Sequence, residues 1–138
     1  SLIRRISHAK KNKLSKVSVW GTGKPMREFL FSEDLASACL FAMNIPKINI
    51  REILPYQLSH INVGFGEEIS ISNLVKLISN LIGYSGMIEY DTSKPDGTMK
   101  KLLDSSLINN LGWKPTTSLE DGLRITYEDF KKKHWHEL

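Results

Sequence analysis

A run of apolar residues in the first third of the chain constrains the fold more than any other feature. Eight of the nine residues from Leu35 to Met43 are apolar, and Ser37 is the exception. Ser32 is a suitable N-cap before them, and Glu33 and Asp34 suit the first helical turn. A surface helix normally carries only one apolar stripe. We therefore predict a helix that is covered on two sides, by another domain or by another subunit.

Short helices and strands are expected to alternate along the rest of the chain. Alternating apolar residues predict strands at 17–20, 27–31, 61–63, 87–90 and 100–104. Helical spacing and capping residues predict helices at 2–13, 70–82, 105–111 and from 118 onward. Residues 45–58 contain two prolines and are expected to form an irregular connection. The predicted fold class is therefore mixed α/β.

The composition of the 138 residues is that of a globular protein, with 41% hydrophobic and 25% charged residues. Disordered, collagen-like and coiled-coil classes are thereby excluded for the chain as a whole. The longest apolar run, 38–43, is too short to span a bilayer, so no membrane partner is expected. It contains the single cysteine, Cys39, which is expected to be buried and unreactive. No secretory signal opens the chain, which favours a cytoplasmic location, and the missing initiator Met suggests a piece of a longer protein.

Basic residues are concentrated at the start of the chain. Residues 1–27 contain eight Lys or Arg and no acid, whereas the other 111 residues contain eleven bases and fifteen acids. Such a block is typical of segments that bind nucleic acid, membrane phosphate or a phosphorylated small molecule. A solvated helix face without any ligand explains the block equally well at this point.

Two glycine-rich strings resemble the fingerprint of dinucleotide-binding folds, but neither completes it. Gly21-Thr22-Gly23 follows a predicted strand, yet Met26 occupies the position of the third glycine and another strand follows. Gly64-Phe65-Gly66 has Ile69 at the third position. The sequence therefore predicts no phosphate cradle of the Rossmann type, and no residue is assigned to cofactor binding.

Other catalytic and metal signals are also incomplete. Tyr90 and Lys94 have the Tyr-x-x-x-Lys spacing of short-chain dehydrogenases, but a proline directly after Lys94 disfavours the helix that the pair requires. Tyr127, with a lysine four residues later, is expected to face the core of the last helix. His134 and His136 lack an apparent third ligand, and a single cysteine excludes a multi-cysteine zinc site. We predict no catalytic residue and no metal ligand in this chain.

Cations, one tryptophan and one polar loop remain as binding candidates. Trp20 closes a predicted strand, Lys24 and Arg27 flank the following turn, and residues 94–98 form a Lys-Pro-Asp-Gly-Thr loop. A planar Trp can stack on a sugar or base, and an Arg can bind a diphosphate with two hydrogen bonds. An Asp can accept hydrogen bonds from a guanine edge or from ribose hydroxyls. A core Trp with surface ion pairs is the alternative that composition alone favours.

Three strings carry a resemblance to a known family: VWGTGKPMREFL at 19–30, SHINVG at 59–64, and SKPDGT at 93–98 with KLLD at 101–104. They resemble the GDP-L-fucose synthases, a branch of the extended short-chain dehydrogenase/reductase family. Their order and spacing agree along the whole chain, and the strings at 111–113 and 118–120 fit as well. Met99 and Lys100 depart from the family, which usually has Pro and Arg there.

The resemblance implies an NADP-dependent enzyme that epimerises GDP-4-keto-6-deoxymannose at C3 and C5 and then reduces the C4 ketone. The family's cofactor fingerprint, its Ser-Tyr-Lys residues and its Cys/His epimerisation pair precede the region that matches this chain. Residues 1–138 are thus expected to be a single C-terminal substrate-binding region, in which the Rossmann core is largely missing. The expected partners are a GDP-sugar, an N-terminal Rossmann domain and a second copy in a homodimer, and the isolated chain is expected to be inactive.

Carried over position by position, the family's substrate contacts fall on Arg5, Trp20, Arg27 and Asp96. Arg5 and Arg27 would address diphosphate or sugar oxygens. Trp20 would form a flat wall, and Asp96 would make a polar contact from its loop. A hairpin across the Gly/Pro turn is expected to bring Trp20 and Arg27 to one rim of a cleft.

Three other functions stay open. A related GDP-sugar or GDP-heptose epimerase/reductase could share these motifs. A basic nucleic-acid-binding module would use residues 1–27, but it would need aromatic platforms among the cations, and only Trp20 is present. A pure interaction domain is suggested by the apolar helix. The leading interpretation includes no nucleic-acid partner.

Overall fold

The structure, a computed structural model, describes residues 2–46, 54 and 60–138. The chain divides into two compact units. The first unit consists of Ser1–Arg27, Glu68–Lys101 and Ser118–Leu138, and the second consists of Glu28–Glu67 and Leu102–Thr117. Most of the predicted irregular connection at 45–58 lies outside the described residues. The assignment of 1–138 to one substrate-binding region stays a prediction.

Helices and strands alternate, and the predicted α/β class is confirmed. The helices are α1 (Leu2–Lys11), α2 (Ser32–Met43), α3 (Ile71–Ile82), α4 (Ser106–Asn110) and α5 (Leu119–His134), and a short 3-10 turn follows at Trp135–Glu137. The strands are β1 (Lys16–Trp20), β2 (Met26–Glu28), β3 (Glu68–Ser70), β4 (Met87–Asp91) and β5 (Lys100–Lys101). No helix in the described ranges is both long and apolar enough to cross a membrane.

The first unit contains two small parallel pairings. β1 pairs with β4, from Lys16 opposite Met87 to Trp20 opposite Asp91. β2 lies in a second sheet of order β3-β2-β5 and runs parallel to β5. The predicted hairpin between β1 and β2 is therefore wrong, because each strand pairs with a distant partner instead of with its neighbour along the chain. Alternate residues of β1 are buried, so Trp20 shares the exposed face of the strand.

The core of the first unit forms where α3 meets α1, β1 and α5. Ile6, Val19, Val75, Ile78 and Tyr127 are among its buried members. The boundaries of α3 agree with the prediction. The hydroxyl of its N-cap serine, at position 70, accepts a hydrogen bond from the third amide of the helix, and a glycine at position 83 with φ of 71° ends it.

Two lysines of the basic segment hold α1 in place. Lys10 Nζ donates a hydrogen bond to the carbonyl of Ile82, at the end of α3. A cation there complements the unpaired carbonyls of the last helical turn. Lys11 Nζ donates to the carbonyl of Trp135 at 2.9 Å and lies 5.9 Å from the centre of its ring. Part of the positive charge of residues 1–27 therefore serves the packing of the first unit.

The second unit is built on α2, which is less buried than the sequence suggests. Ala38 is fully buried in a small core, whereas Leu40 and Met43 are 62% and 81% exposed. Cys39 is also exposed, so the prediction of a buried thiol is wrong. This thiol lies on the side of the helix that the small core does not reach. The partner predicted to cover this side stays a prediction.

One predicted boundary and one predicted strand near the second unit are wrong. Phe31, and not Ser32, is the extended N-cap of α2, so the strand predicted at 27–31 ends earlier, at Glu28. Residues 61–63 pack against the small core, but they lie outside any strand. The Glu28 carboxylate holds the segment that follows residues 61–63. It accepts hydrogen bonds from the amides of Gly66 at 2.6 Å and Leu103 at 3.2 Å.

Asp34 is the buried polar anchor of the second unit. Its carboxylate accepts hydrogen bonds from the amide and hydroxyl of Thr116, at 3.2 and 3.0 Å, and from the amide of Thr117 at 3.0 Å. Burial by itself would raise the pKa of Asp34, but the hydrogen bonds from the two threonines outweigh it and lower the pKa. The carboxylate therefore ties the start of α2 to the segment that precedes α5.

Candidate functional site

The four predicted substrate-binding residues all lie in the first unit. Trp20 is the last residue of β1, and its side chain is 67% exposed. Lys94 Nζ lies 6.0 Å from the centre of the indole ring, which is cation–π distance. Trp20 is thus a surface platform with a cation beside it, and the alternative of a core tryptophan is excluded.

The turn after Trp20 brings the loop at 94–98 against the end of β1. Gly21 has φ of +79°, and a Cβ there would lie 2.2 Å from Asp96 Oδ1. Gly23 has φ of +74°, and a Cβ there would lie 2.5 Å from the ring of Tyr90. Both glycines are therefore needed for a left-handed turn in close contact with other side chains.

Asp96 is held by a single residue of that turn. The amide of Thr22 donates to Oδ1 at 2.8 Å, and the hydroxyl of Thr22 donates to Oδ2 at 2.6 Å. The two hydrogen bonds from Thr22 and the nearby positive charge of Lys24 lower the pKa of Asp96. The carboxylate is therefore ionised at neutral pH and can only accept hydrogen bonds.

Arg27 lies on the other side of the same loop. It is half-buried in β2, and its Nη1 donates to the carbonyl of Met26 at 2.6 Å. Nη2 lies 3.2 Å from the point that a Cβ of Gly97 would occupy. Because Gly97 follows Asp96 directly, the guanidinium of Arg27 lies beside the loop that carries Asp96.

Arg5 occupies a neighbouring position. Its Nη1 donates to the carbonyl of Ser18 at 3.1 Å, two residues before Trp20 in β1. It also lines an open cavity of about 430 Å³ together with Arg4, His8 and Lys16. Within the described ranges, Arg5 forms no hydrogen bond with the other three predicted residues. The structure thus places Trp20, Arg27 and Asp96 around the loop at 94–98, and leaves Arg5 along β1.

The two Tyr-x-x-x-Lys strings have different structural settings, and no catalytic role is assigned to either. Tyr90 belongs to a strand and Lys94 to the following loop. Tyr127 is buried in the core, where burial raises its pKa. Lys131 Nζ lies 5.0 Å from the centre of the Tyr127 ring and is paired with Glu128 at 2.7 Å. Among the residues that the structure describes, no three His, Cys, Asp or Glu side chains are grouped to hold a metal ion.

Thr22 is the site residue that sequence reasoning missed. It is the middle residue of the Gly21-Thr22-Gly23 string, an incomplete dinucleotide fingerprint for which the sequence predicts no binding role of Thr22. The signal was present in the two flanking glycines, because a Gly-x-Gly turn after a strand allows close approach of another segment. No sequence signal near Thr22 indicates that the approaching segment is the loop of Asp96, 74 residues further along the chain.

Comparisons with known proteins agree with the resemblance seen in the sequence. A model of the NAD dependent epimerase/dehydratase family matches residues 1–64. A putative GDP-L-fucose synthase of Arabidopsis thaliana is 46% identical over 129 residues, which are 93% of this chain and 36% of the relative. A GDP-L-fucose synthase of Escherichia coli (strain K12) is 43% identical over 130 residues, which are 94% of this chain and 40% of the relative.

A solved structure gives the same result for the fold. The GDP-mannoheptose C4 reductase of Campylobacter jejuni, with NADP bound, has a TM-score of 0.79 and 33% identity, and the match covers 99% of this chain and 43% of that one. The chain thus spans between 36% and 40% of the length of the two curated relatives above. By sequence, the chain is thus similar to one part of proteins named GDP-L-fucose synthase, and its residues 1–64 match the NAD dependent epimerase/dehydratase family.

Proposed function

We propose that this chain supplies the GDP-sugar-binding part of an NADP-dependent GDP-4-keto-6-deoxymannose 3,5-epimerase/4-reductase, which makes GDP-L-fucose. The observation that carries the proposal is the grouping of Trp20, Arg27 and Asp96 around the loop at 94–98. These three side chains come from three separate segments, and each has a different chemistry. Together they match the parts of a nucleotide sugar. Substrate contacts from Arg5 are part of the same proposal.

Each side chain of the group suits one part of that ligand. The exposed indole of Trp20 offers a flat apolar face for a sugar or base. The guanidinium of Arg27 can bind phosphate oxygens with two hydrogen bonds. The ionised carboxylate of Asp96 can accept hydrogen bonds from hydroxyl or N–H groups. Lys24 and Lys94 add positive charge, which favours a diphosphate over a neutral sugar.

The turn that contains Gly21 and Gly23 does not fit the phosphates of NADP. A dinucleotide cradle needs open space above its glycines, but Asp96 and Tyr90 fill the space next to Gly21 and Gly23. No step of the reaction is therefore assigned to the cofactor in this chain. NADP binding is proposed for the rest of the full-length protein, for which we also propose a homodimer.

One other function is supported by a specific observation. The GDP-mannoheptose C4 reductase of Campylobacter jejuni matches 99% of the chain at 33% identity, which keeps a GDP-heptose substrate as the second candidate. A nucleic-acid-binding module has less support. Lys10 and Lys11 of the basic segment bind backbone carbonyls, and Lys16 pairs with Glu89 at 2.9 Å.

A competition experiment tests the proposed site. Titration calorimetry of the full-length protein with GDP is expected to give saturable binding that an excess of a single-stranded oligonucleotide does not abolish. A specific site would bind the diphosphate through fixed groups, whereas a diffuse basic patch would bind the longer polyanion in preference. Loss of the GDP signal in the presence of the oligonucleotide, or no GDP binding at all, would contradict the proposal.

The isolated 138-residue chain is expected to have no turnover. Mixing it with NADPH and GDP-4-keto-6-deoxymannose should leave the nicotinamide absorbance unchanged, because neither glycine-rich string of the sequence completes a dinucleotide fingerprint. The full-length protein, assayed in parallel, should consume NADPH. Steady oxidation by the isolated chain above a buffer blank would show that the catalytic residues are present within it.

A further inference from the structure

We propose that Thr22 is a positioning residue, which orients the Asp96 carboxylate and keeps it available as a hydrogen-bond acceptor for the nucleotide sugar. The inference rests on the proposed function, because Asp96 has a ligand to contact only if that site binds a GDP-sugar. Thr22 itself need not touch the ligand. Its role would be exerted through the loop at 94–98.

The geometry ties both carboxylate oxygens to one residue. Thr22 donates from its amide to Oδ1 at 2.8 Å and from its hydroxyl to Oδ2 at 2.6 Å. A carboxylate bound at both oxygens by a single partner cannot rotate about its last side-chain bond without losing one hydrogen bond. The plane of the carboxylate is therefore fixed relative to the end of β1.

The neighbouring glycine makes this contact possible. Any side chain at Gly21 would meet Oδ1 at 2.2 Å, and φ of +79° disfavours other residues there as well. The hydroxyl of Thr22 in turn accepts a hydrogen bond from the amide of Lys24 at 3.2 Å. The threonine side chain is therefore oriented from both sides, as a positioning residue has to be.

The two hydrogen bonds leave the carboxylate with free acceptor capacity. An ionised carboxylate has about four acceptor positions, and Thr22 occupies two of them. Because Lys24 and Arg27 lie nearby, the anionic phosphates of a ligand have cations to bind. The remaining positions on Asp96 then suit the hydroxyl or N–H donors of the same molecule. The ligand class is a nucleoside diphosphate sugar, which carries both kinds of group.

The experiment compares three variants of the full-length protein. Thr22→Val keeps the shape and the amide of Thr22 but removes the hydroxyl, and Thr22→Ser keeps the hydroxyl. Thr92→Val, in the exposed turn after β4, is the matched control. Affinity for GDP-mannose is measured by calorimetry at pH 7. A carbon-13 NMR titration of the Asp96 carboxyl group then measures the pH at which that group is protonated.

Thr22→Val is expected to bind about five- to tenfold more weakly, because a hydrogen bond to a charged group is lost. Its Asp96 should also titrate at higher pH than in the wild type, since that hydrogen bond lowers the pKa. Thr22→Ser should keep the wild-type affinity and the wild-type pKa of Asp96, because it keeps the hydroxyl. Thr92→Val should leave both quantities unchanged. If the valine variant does not fold, Thr22→Ala removes the same hydroxyl with less bulk and is measured instead.

The possible failures can be told apart. If the wild type does not bind GDP-mannose, the proposed function fails and this inference fails with it. If the wild type binds and Thr22→Val binds equally well, only the role of Thr22 is overturned. If Thr22→Val loses affinity while the titration of Asp96 stays where it is in the wild type, Thr22 acts through the general fold of the turn, and the positioning role is overturned.

Discussion

Arg27→Ala should weaken binding of GDP-mannose by roughly ten- to a hundredfold in the full-length protein. A hydrogen bond between a charged donor and phosphate is worth about 1.5–3 kcal/mol, and alanine removes the whole guanidinium. The side chain is already half-buried and held by the carbonyl of Met26, so little ordering is needed on binding. Titration calorimetry at constant ionic strength measures the effect directly.

The control has to be a basic residue of the same segment without a structural role. Lys10 is unsuitable, because its side chain caps the end of α3. Lys13 is exposed and follows α1, so Lys13→Gln should change the affinity by less than about threefold. Equal losses in the Arg27 and Lys13 variants would mean that residues 1–27 bind anions as a diffuse patch.

Asp34→Ala should lower the free energy of unfolding by about 2–4 kcal/mol. The substitution leaves the amides of Thr116 and Thr117 without their acceptor and removes their hydrogen bonds to the buried, charged Asp34 carboxylate. Urea unfolding of the full-length protein, followed by circular dichroism, measures the change. Glu33→Ala is the matched control, since Glu33 is the exposed acid next to Asp34 in α2, and its loss should cost less than about 1 kcal/mol.

The effect of Asp34 should depend on pH. Its pKa is lowered in the folded chain, so its contribution is present above the pKa of the unfolded state and is lost as the pH falls through the folded pKa. The difference in the free energy of unfolding between wild type and Asp34→Ala should therefore have its full size at pH 7 and become smaller in acid. A difference that stays constant down to strongly acidic pH would show that the carboxylate charge is not what stabilises the second unit.

The local elements of the fold could be predicted from the sequence because their signals are local. Ser70 and Gly83 mark the two ends of α3, and Ser118 marks the start of α5. The pairing of strands could not be predicted in the same way. The turn at 21–25 was predicted to be the loop of a hairpin, but the partner of β1 is β4 and the partners of β2 are β3 and β5. Short strands carry no information about which distant strand they join.

Most residues of the candidate site could be named from the sequence, but their arrangement in space could not. Trp20, Arg27 and Asp96 came from resemblance, and the structure places these three around the loop at 94–98; their role in substrate binding stays a proposal. Thr22 was missed, since its role depends on a contact between distant segments. The exposed thiol of Cys39 was predicted to be buried for a related reason. An apolar run predicts a helix well, but how much of it is covered depends on the segments that surround it.

The parallel pairing of distant strands has a consequence for the order in which the chain can fold. Lys16 pairs with Met87 and Met26 pairs with Lys100, so β1 lacks its partner, and β2 lacks one of its two partners, until residues 87–101 have been synthesised. Trp20 and Arg27 are therefore synthesised well before the strands that pair with β1 and β2. Non-local contacts of this kind form slowly and leave strand edges open to other molecules. Chaperones that bind newly made chains are expected to bind residues 16–28 while these strands lack their partners.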